Sequence, residues 1–260
     1  MSENQSSLQK PPARGAYLLP NALTTSALLA GFFAIVSAVQ GEYVAGCIAV
    51  VIAGFLDGID GRVARMTGTQ SEFGSQYDSL SDMVSFGLAP ALLVWMWSLD
   101  TLHLVGPIGQ QVGWLAAFFY SACAALRLAR FNTQAGGVAD KRFFQGLASP
   151  AAAGTLVSTI WFLESRSIDP QAVAWLMLAL TVILGSLMIS RVRYISFKGG
   201  GTRGRVPITW IFVLLVVIVL LAIDLPAGLF TVGVVYVSAG LLLTVFGRYQ
   251  RRKNRKRDST

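Results

Sequence analysis

Between residues 57 and 83 the chain reads DGIDGRVARMTGTQSEFGSQYDSLSDM, with aspartates at Asp57, Asp60, Asp78 and Asp82. Asp57 and Asp60 are spaced i,i+3 and Asp78 and Asp82 i,i+4, so on helices each pair shares one face. A turn between Gly68 and Gly74 would send the second helix back antiparallel and bring both pairs to one depth. Four carboxylates in one cavity cannot all stay ionised unaided. Like charges a few ångströms apart oppose ionisation, and burial of each charge is costly. Cations are the natural remedy, and oxygen-only ligands favour hard divalent metals, Mg²⁺, Mn²⁺ or Ca²⁺. Two such ions would balance the four carboxylates. Mg²⁺ completes its shell with water and substrate phosphate, so a two-metal clamp on a phosphoryl group suits this arrangement best.

The residues between the aspartates fit that chemistry. Gly58, Gly61 and Ala64 have almost no side chain, so a bulky ligand could lie against the helix backbone. Arg65, one turn beyond Gly61, is spaced to meet a phosphate, and Gly74, one turn before Asp78, opens the same space from the other side. The competing reading of the small residues is close helix packing. Asn21, Thr24 and Thr25 follow Pro20 at the head of the first apolar run. They read either as a helix cap or as part of the lining of the pocket for that phosphate-bearing ligand.

The elements that must carry these residues are membrane helices. Hydrophobic residues make up 54% of the 260-residue chain and charged ones only 13%, about half the charged share of a soluble domain; mean hydropathy is +0.59. The fold class expected is all-α, a polytopic membrane protein. About eight helices are expected, near 17–39, 43–63, 77–98, 110–130, 148–164, 171–190, 206–223 and 227–247. The first run lacks an A-x-A-like exit and precedes many more, so it reads as a span and not as a cleaved signal. A polar N-terminal segment (1–16), a transmembrane domain (17–247) and a basic tail (248–260) make up the expected organisation. If the N-terminus is cytoplasmic, every Lys and Arg except Arg166 falls on the inner side. The positive-inside rule therefore predicts both termini and the aspartates on the cytoplasmic face of the inner membrane. The tail RYQRRKNRKR, directly after a span, reads as a contact with anionic membrane lipid and not with nucleic acid. Cys47 and Cys123 read as small core residues, and the lone His103 as an outer-loop residue away from the chemistry.

The string D-G-x2-A-R-x8-G-x3-D-x3-D, preceded by a further aspartate, resembles the signature of the CDP-alcohol phosphatidyltransferases. It is met at Asp57, Asp60, Gly61, Ala64, Arg65, Gly74, Asp78 and Asp82 without departure. The resemblance implies that Asp57, Asp60 and Asp78 bind metal. It implies that Asp82 is the general base and also touches metal, that Gly61, Ala64 and Arg65 contact the cytidine nucleotide, and that the protein is a homodimer.

Later segments bear on the acceptor. ALRLARFNTQ (125–134), KRFFQGLASPAAAG (141–154) and LPNALTTSALLAGF (19–32) look like the matching segments of membrane-embedded bacterial phosphatidylserine synthases, except that Ala148 replaces a usual proline. That resemblance implies CDP-diacylglycerol and L-serine as substrates and phosphatidylserine and CMP as products. Arg127, Arg130, Lys141 and Arg142 form a basic cluster where a serine carboxylate could take charge-assisted hydrogen bonds. Asn132, Gln134 and Ser149 could meet the ammonium and hydroxyl groups. Arg130, Asn132, Gln134, Lys141, Arg142 and Ser149 are the acceptor-binding candidates, Arg130 and Asn132 foremost. Orientation and lipid contact are the competing role of the basic residues. Two rival functions stand beside this one: a family member using glycerol 3-phosphate or an inositol compound, and an ion or proton transporter. A transporter would place its carboxylates nearer the bilayer midplane.

Overall fold

The computed structural model describes residues 18–69, 71–134, 143–190, 192–195 and 208–257, with the backbone alone described at 134, 143–145, 193–195, 208–211, 213–214 and 243–257. Among the described residues nine α-helices follow in order: α1 (Leu18–Val39), α2 (Tyr43–Thr67), α3 (Glu72–Asp82), α4 (Ala89–Trp97), α5 (Pro107–Gln134), α6 (Ser149–Ser165), α7 (Ala174–Ile189), α8 (Ile208–Ile223) and α9 (Leu225–Arg257). Among the described residues five stretches are long and apolar enough to cross a membrane: Leu18–Val39, Tyr43–Thr67, Glu72–Val105, Pro107–Thr133 and Leu225–Leu242. Helices α6, α7 and α8 have 17, 16 and 16 residues. At 1.5 Å per residue they reach about 24–26 Å, short of a hydrocarbon core of about 30 Å. Each of the eight expected apolar segments is thus helical, and five of these helical stretches meet the length for a crossing.

Apolar side chains explain the architecture. Leu29, Phe32, Phe33, Phe118, Trp175, Leu176 and Ile183 lie exposed around the outside, a surface suited to lipid and not to water. Small residues line the inside. Ala34, Ala38, Cys47, Ala49 and Ala53 are buried where α1 runs along α2, and short side chains let helix backbones approach closely. The centre is held by Phe86, Leu93, Val94 and Trp97, all buried. Both cysteines are free and buried. His103 is exposed in a 3₁₀ turn (Leu99–Val105) and bonds the Asp100 carbonyl. At that end of the bundle Trp97 Nε1 donates to Glu164 at 2.6 Å and Ser98 Oγ to the Pro170 carbonyl at 2.8 Å.

Two features depart from the helix pattern read from sequence. The third apolar segment begins at Glu72 and not near residue 77, because Ser71 caps it by accepting the Gly74 N–H at 3.0 Å. Glu72 in the first turn also favours a helix start. This segment is not one continuous α-helix either. A π-helical turn at Met83–Leu88 separates α3 from α4, and side chains of α5 satisfy its carbonyls. Tyr120 Oη donates to Phe86 O at 3.2 Å and Ser121 Oγ to Gly87 O at 3.0 Å. Such compensation is what lets irregular backbone persist at membrane depth. A short antiparallel ribbon, β1 (Phe143–Gln145) with β2 (Arg193–Ile195), ties the chain before α6 to the chain after α7.

Candidate active site

Helix α2 ends at Thr67, and Gly68 follows in the left-handed region at φ 64°, its N–H returning to Ala64 O. A side chain there would be strained, so glycine permits the tight reversal that sends α3 back beside α2. The reversal puts the two aspartate pairs side by side. Asp57, Asp60 and Asp78 each offer one carboxylate oxygen, and these oxygens lie within 4.8 Å of one another. At an effective dielectric of about 20, two ionised carboxylates at that separation repel by about 3.5 kcal/mol. Oxygen donors this close are the set a hard divalent cation takes, so the residues present fit such a metal. Asp82, the last residue of α3, reaches the side chain of Asp57 from one turn beyond Asp78.

Helix α1 completes the cluster. Thr24 is buried and donates through Oγ1 to Asp60 Oδ2 at 2.8 Å, also reaching the Pro20 carbonyl at 3.1 Å. Asp60 is itself 5% exposed, and this hydroxyl fixes one of its oxygens.

A cavity of about 330 Å³ opens beside the aspartates, lined by Pro20, Asn21 and Thr24 from α1; Asp60, Gly61, Ala64 and Arg65 from α2; and Thr69, Ser71, Gly74, Ser75 and Asp78 from the turn and α3. The seven residues read from sequence as nucleotide- or diphosphate-facing divide six to one. Asn21, Thr24, Gly61, Ala64, Arg65 and Gly74 line it. Thr25 does not: its hydroxyl meets Tyr77 Oη at 2.9 Å and Asn21 O at 2.7 Å, because adjacent helical residues point about 100° apart. Close packing explains Gly46 of α2, where a Cβ would stand 2.7 Å from Leu93 Cδ2, but not Gly58 or Gly61. A Cβ at Gly58 would meet nothing within 4 Å, and at Gly61 only the Arg65 guanidinium at 3.7 Å.

The acceptor candidates are less concentrated. Asn132 bonds Ser79 on α3, its amide atoms 3.0 and 3.2 Å from Ser79 Oγ. Ser149 is fully buried at the start of α6 and accepts from Arg127 Nη1 at 2.7 Å. Arg130 lies half-buried on the last turns of α5. The side chain of Gln134 and all of Lys141 and Arg142 lie outside the described residues. Sequence reasoning missed the role of Ser71 and Ser75 in the cavity wall, although Ser71 three residues before Gly74 was a legible cap. Arg127, read from sequence as part of the basic cluster but not among the six candidates, neighbours Asp82.

The family model for CDP-alcohol phosphatidyltransferase matches residues 17–187. A CDP-diacylglycerol–serine O-phosphatidyltransferase of Helicobacter pylori (strain ATCC 700392 / 26695) is 37% identical over 187 residues, covering 72% of this chain and 76% of that protein. An enzyme of the same name from Mycobacterium tuberculosis (strain ATCC 25618 / H37Rv) is 36% identical over 147 residues, 55% of this chain and 49% of that protein. The archaetidylserine synthase of Methanothermobacter thermautotrophicus is 35% identical over 188 residues, 70% of this chain and 72% of that protein.

Proposed function

Since the chain belongs to the CDP-alcohol phosphatidyltransferase family, we propose that it transfers the phosphatidyl group of CDP-diacylglycerol to the hydroxyl of L-serine, giving phosphatidylserine and CMP. The observation that carries the reading is the Asp57–Asp60–Asp78 cluster opening on a cavity walled by Gly61, Ala64 and Arg65. The choice of serine is supported by the names of the similar proteins from two bacteria and an archaeon.

In this mechanism Asp57, Asp60 and Asp78, with Asp82 at the edge, hold two divalent cations, Mg²⁺ or Mn²⁺. When bound, the cations neutralise the pyrophosphate and the charge that develops on the leaving group. Gly61 and Ala64 let the nucleotide lie against α2, and Arg65 faces its phosphate. The serine hydroxyl attacks the phosphorus that carries diacylglycerol while Asp82 takes the hydroxyl proton. The bond from that phosphorus to the bridging oxygen breaks, and CMP leaves with the electron pair. Positioning and charge stabilisation carry most of the acceleration, as in phosphoryl transfer generally. Thr24 holds Asp60 in its orientation, the kind of outer contact that tunes a metal ligand.

The reading also includes the tripartite organisation (1–16, 17–247, 248–260), a homodimer, and an active site on the cytoplasmic side of the inner membrane, where a soluble alcohol meets a lipid donor. The one-sided distribution of basic residues supports that side. Purified protein given CDP-diacylglycerol, Mg²⁺ or Mn²⁺ and labelled serine, glycerol 3-phosphate or an inositol compound tests the assignment. Label should enter lipid from serine alone, with CMP released in equal amount. Incorporation of another acceptor in its place would refute the serine claim and keep the family chemistry.

A further inference from the structure

Beyond the aspartates, a second polar group sits inside the bundle. Arg127 lies on α5 within the candidate span Pro107–Thr133. A guanidinium stays charged at any working pH, and within a membrane span such a charge marks a functional site by default. Its direct hydrogen bond is to a neutral group, Ser149 Oγ at 2.7 Å. Asp82 and the hydroxyls of Tyr236 and Tyr120 are its electrostatic neighbours. Tyr120 already donates to the Phe86 carbonyl in the π-helical turn.

Tyr236 comes from α9, beyond the residues 17–187 that match the family model. Close packing brings it there. A Cβ on Gly233 would stand 2.9 Å from Thr155 Oγ1 and 3.1 Å from Thr155 Cα, so only a residue without a side chain lets α9 lie this close to α6. Tyr236, three residues on, follows on nearly the same face and packs against the core.

We propose that Arg127, held by Ser149 and flanked by Tyr236, anchors the carboxylate of an amino-acid acceptor, so that α9 takes part in choosing the acceptor. The proposal rests on the serine reading above and deepens it. A guanidinium fork pairs with a carboxylate through two parallel hydrogen bonds. In serine the hydroxyl lies only a few bonds from the carboxylate. A molecule anchored at Arg127 therefore presents its hydroxyl toward the neighbouring Asp82. Ser149, fully buried, sets the guanidinium's direction, and the Tyr236 hydroxyl supplies one further donor.

The test compares serine with serinamide, which keeps the hydroxyl and amine but has no carboxylate, in full-length protein with Mn²⁺ and CDP-diacylglycerol. Arg127→Met should raise the KM for serine roughly ten- to hundredfold, the worth of a hydrogen bond to a charged group. The KM for CDP-diacylglycerol should not move, and the preference for serine over serinamide should vanish. Arg127→Lys should restore part of that preference. Tyr236→Phe keeps the packed ring and should raise the KM for serine about three- to tenfold, as for a neutral hydrogen bond. If Arg127→Met lowers kcat equally for both acceptors and leaves the preference intact, Arg127 acts on Asp82 and the anchor is refuted. An unchanged KM for serine in Tyr236→Phe removes α9 from acceptor choice. Should Arg127→Met fail to fold, the lysine and phenylalanine variants still decide. Wild-type protein that ignores serine but uses another alcohol overturns the serine reading first, a result the variants cannot mimic.

Discussion

The proposed chemistry rests on a few carboxyl groups whose assigned roles separate by position. Asp82 stands at the edge of the triad beside Asp57, where a hydroxyl from outside could reach it. Asp82→Asn should lower kcat by about 10²–10⁴-fold, the usual worth of a general base, while CDP-diacylglycerol binding, measured by calorimetry, persists. Asp78→Ala removes an oxygen of the triad and should weaken Mn²⁺ and donor binding together; near-normal turnover in either variant would contradict its role. Thr24 acts one bond further out. Thr24→Val keeps the shape but loses the 2.8 Å hydrogen bond to Asp60. It should cost about ten- to hundredfold in Mn²⁺ affinity, read by metal titration of activity.

At the scale of elements, the α2–turn–α3 unit is the device. Its spacing makes two helical faces, and the reversal at Gly68 opposes them. Since a Cβ at Gly61 would meet only Arg65, the protein's own packing leaves room for a side chain there, and the proposed function assigns that room to the ligand. Gly61→Val should change stability by less than about 0.5 kcal/mol, as surface substitutions do. It should also raise the donor KM at least about tenfold, the equivalent of ~1.4 kcal/mol of lost contact. A large fall in melting temperature with an unchanged donor KM would restore the packing explanation. The π-helical turn after Asp82 is a second device. It separates α4 from α3, and the cost of its irregular carbonyls is offset by Tyr120 and Ser121. Turns of this kind recur at functional sites.

For the whole molecule, the one-sided charge makes a topological prediction. Both native cysteines are buried, so a single introduced cysteine can report sidedness. Placed at Arg166, it should react with an impermeant thiol reagent from the periplasmic side; placed at Arg248, only after the cytoplasmic side is opened. The reverse labelling would move the active site to the other face. Arg166 also forms an ion pair with Asp224 at the start of α9, which pins that helix at the end remote from the aspartates. The rest of α9 then runs back past α6 toward Arg127. EDTA should abolish CMP release, and Mn²⁺ or Mg²⁺ should restore it.

The membrane class, the run of helical segments and the four aspartates were all determined by the sequence alone. Hydropathy and i,i+3 or i,i+4 spacing are local properties, so they survive without knowledge of packing. The tertiary structure decided what depends on contacts between distant segments. Thr24 lies 36 residues from Asp60, and Arg127 lies 22 from Ser149, so no local period could pair them. The same holds for the π-helical turn and the approach of Tyr236. Each follows from how one backbone satisfies or excludes another, a matter of long-range packing that residue order does not state.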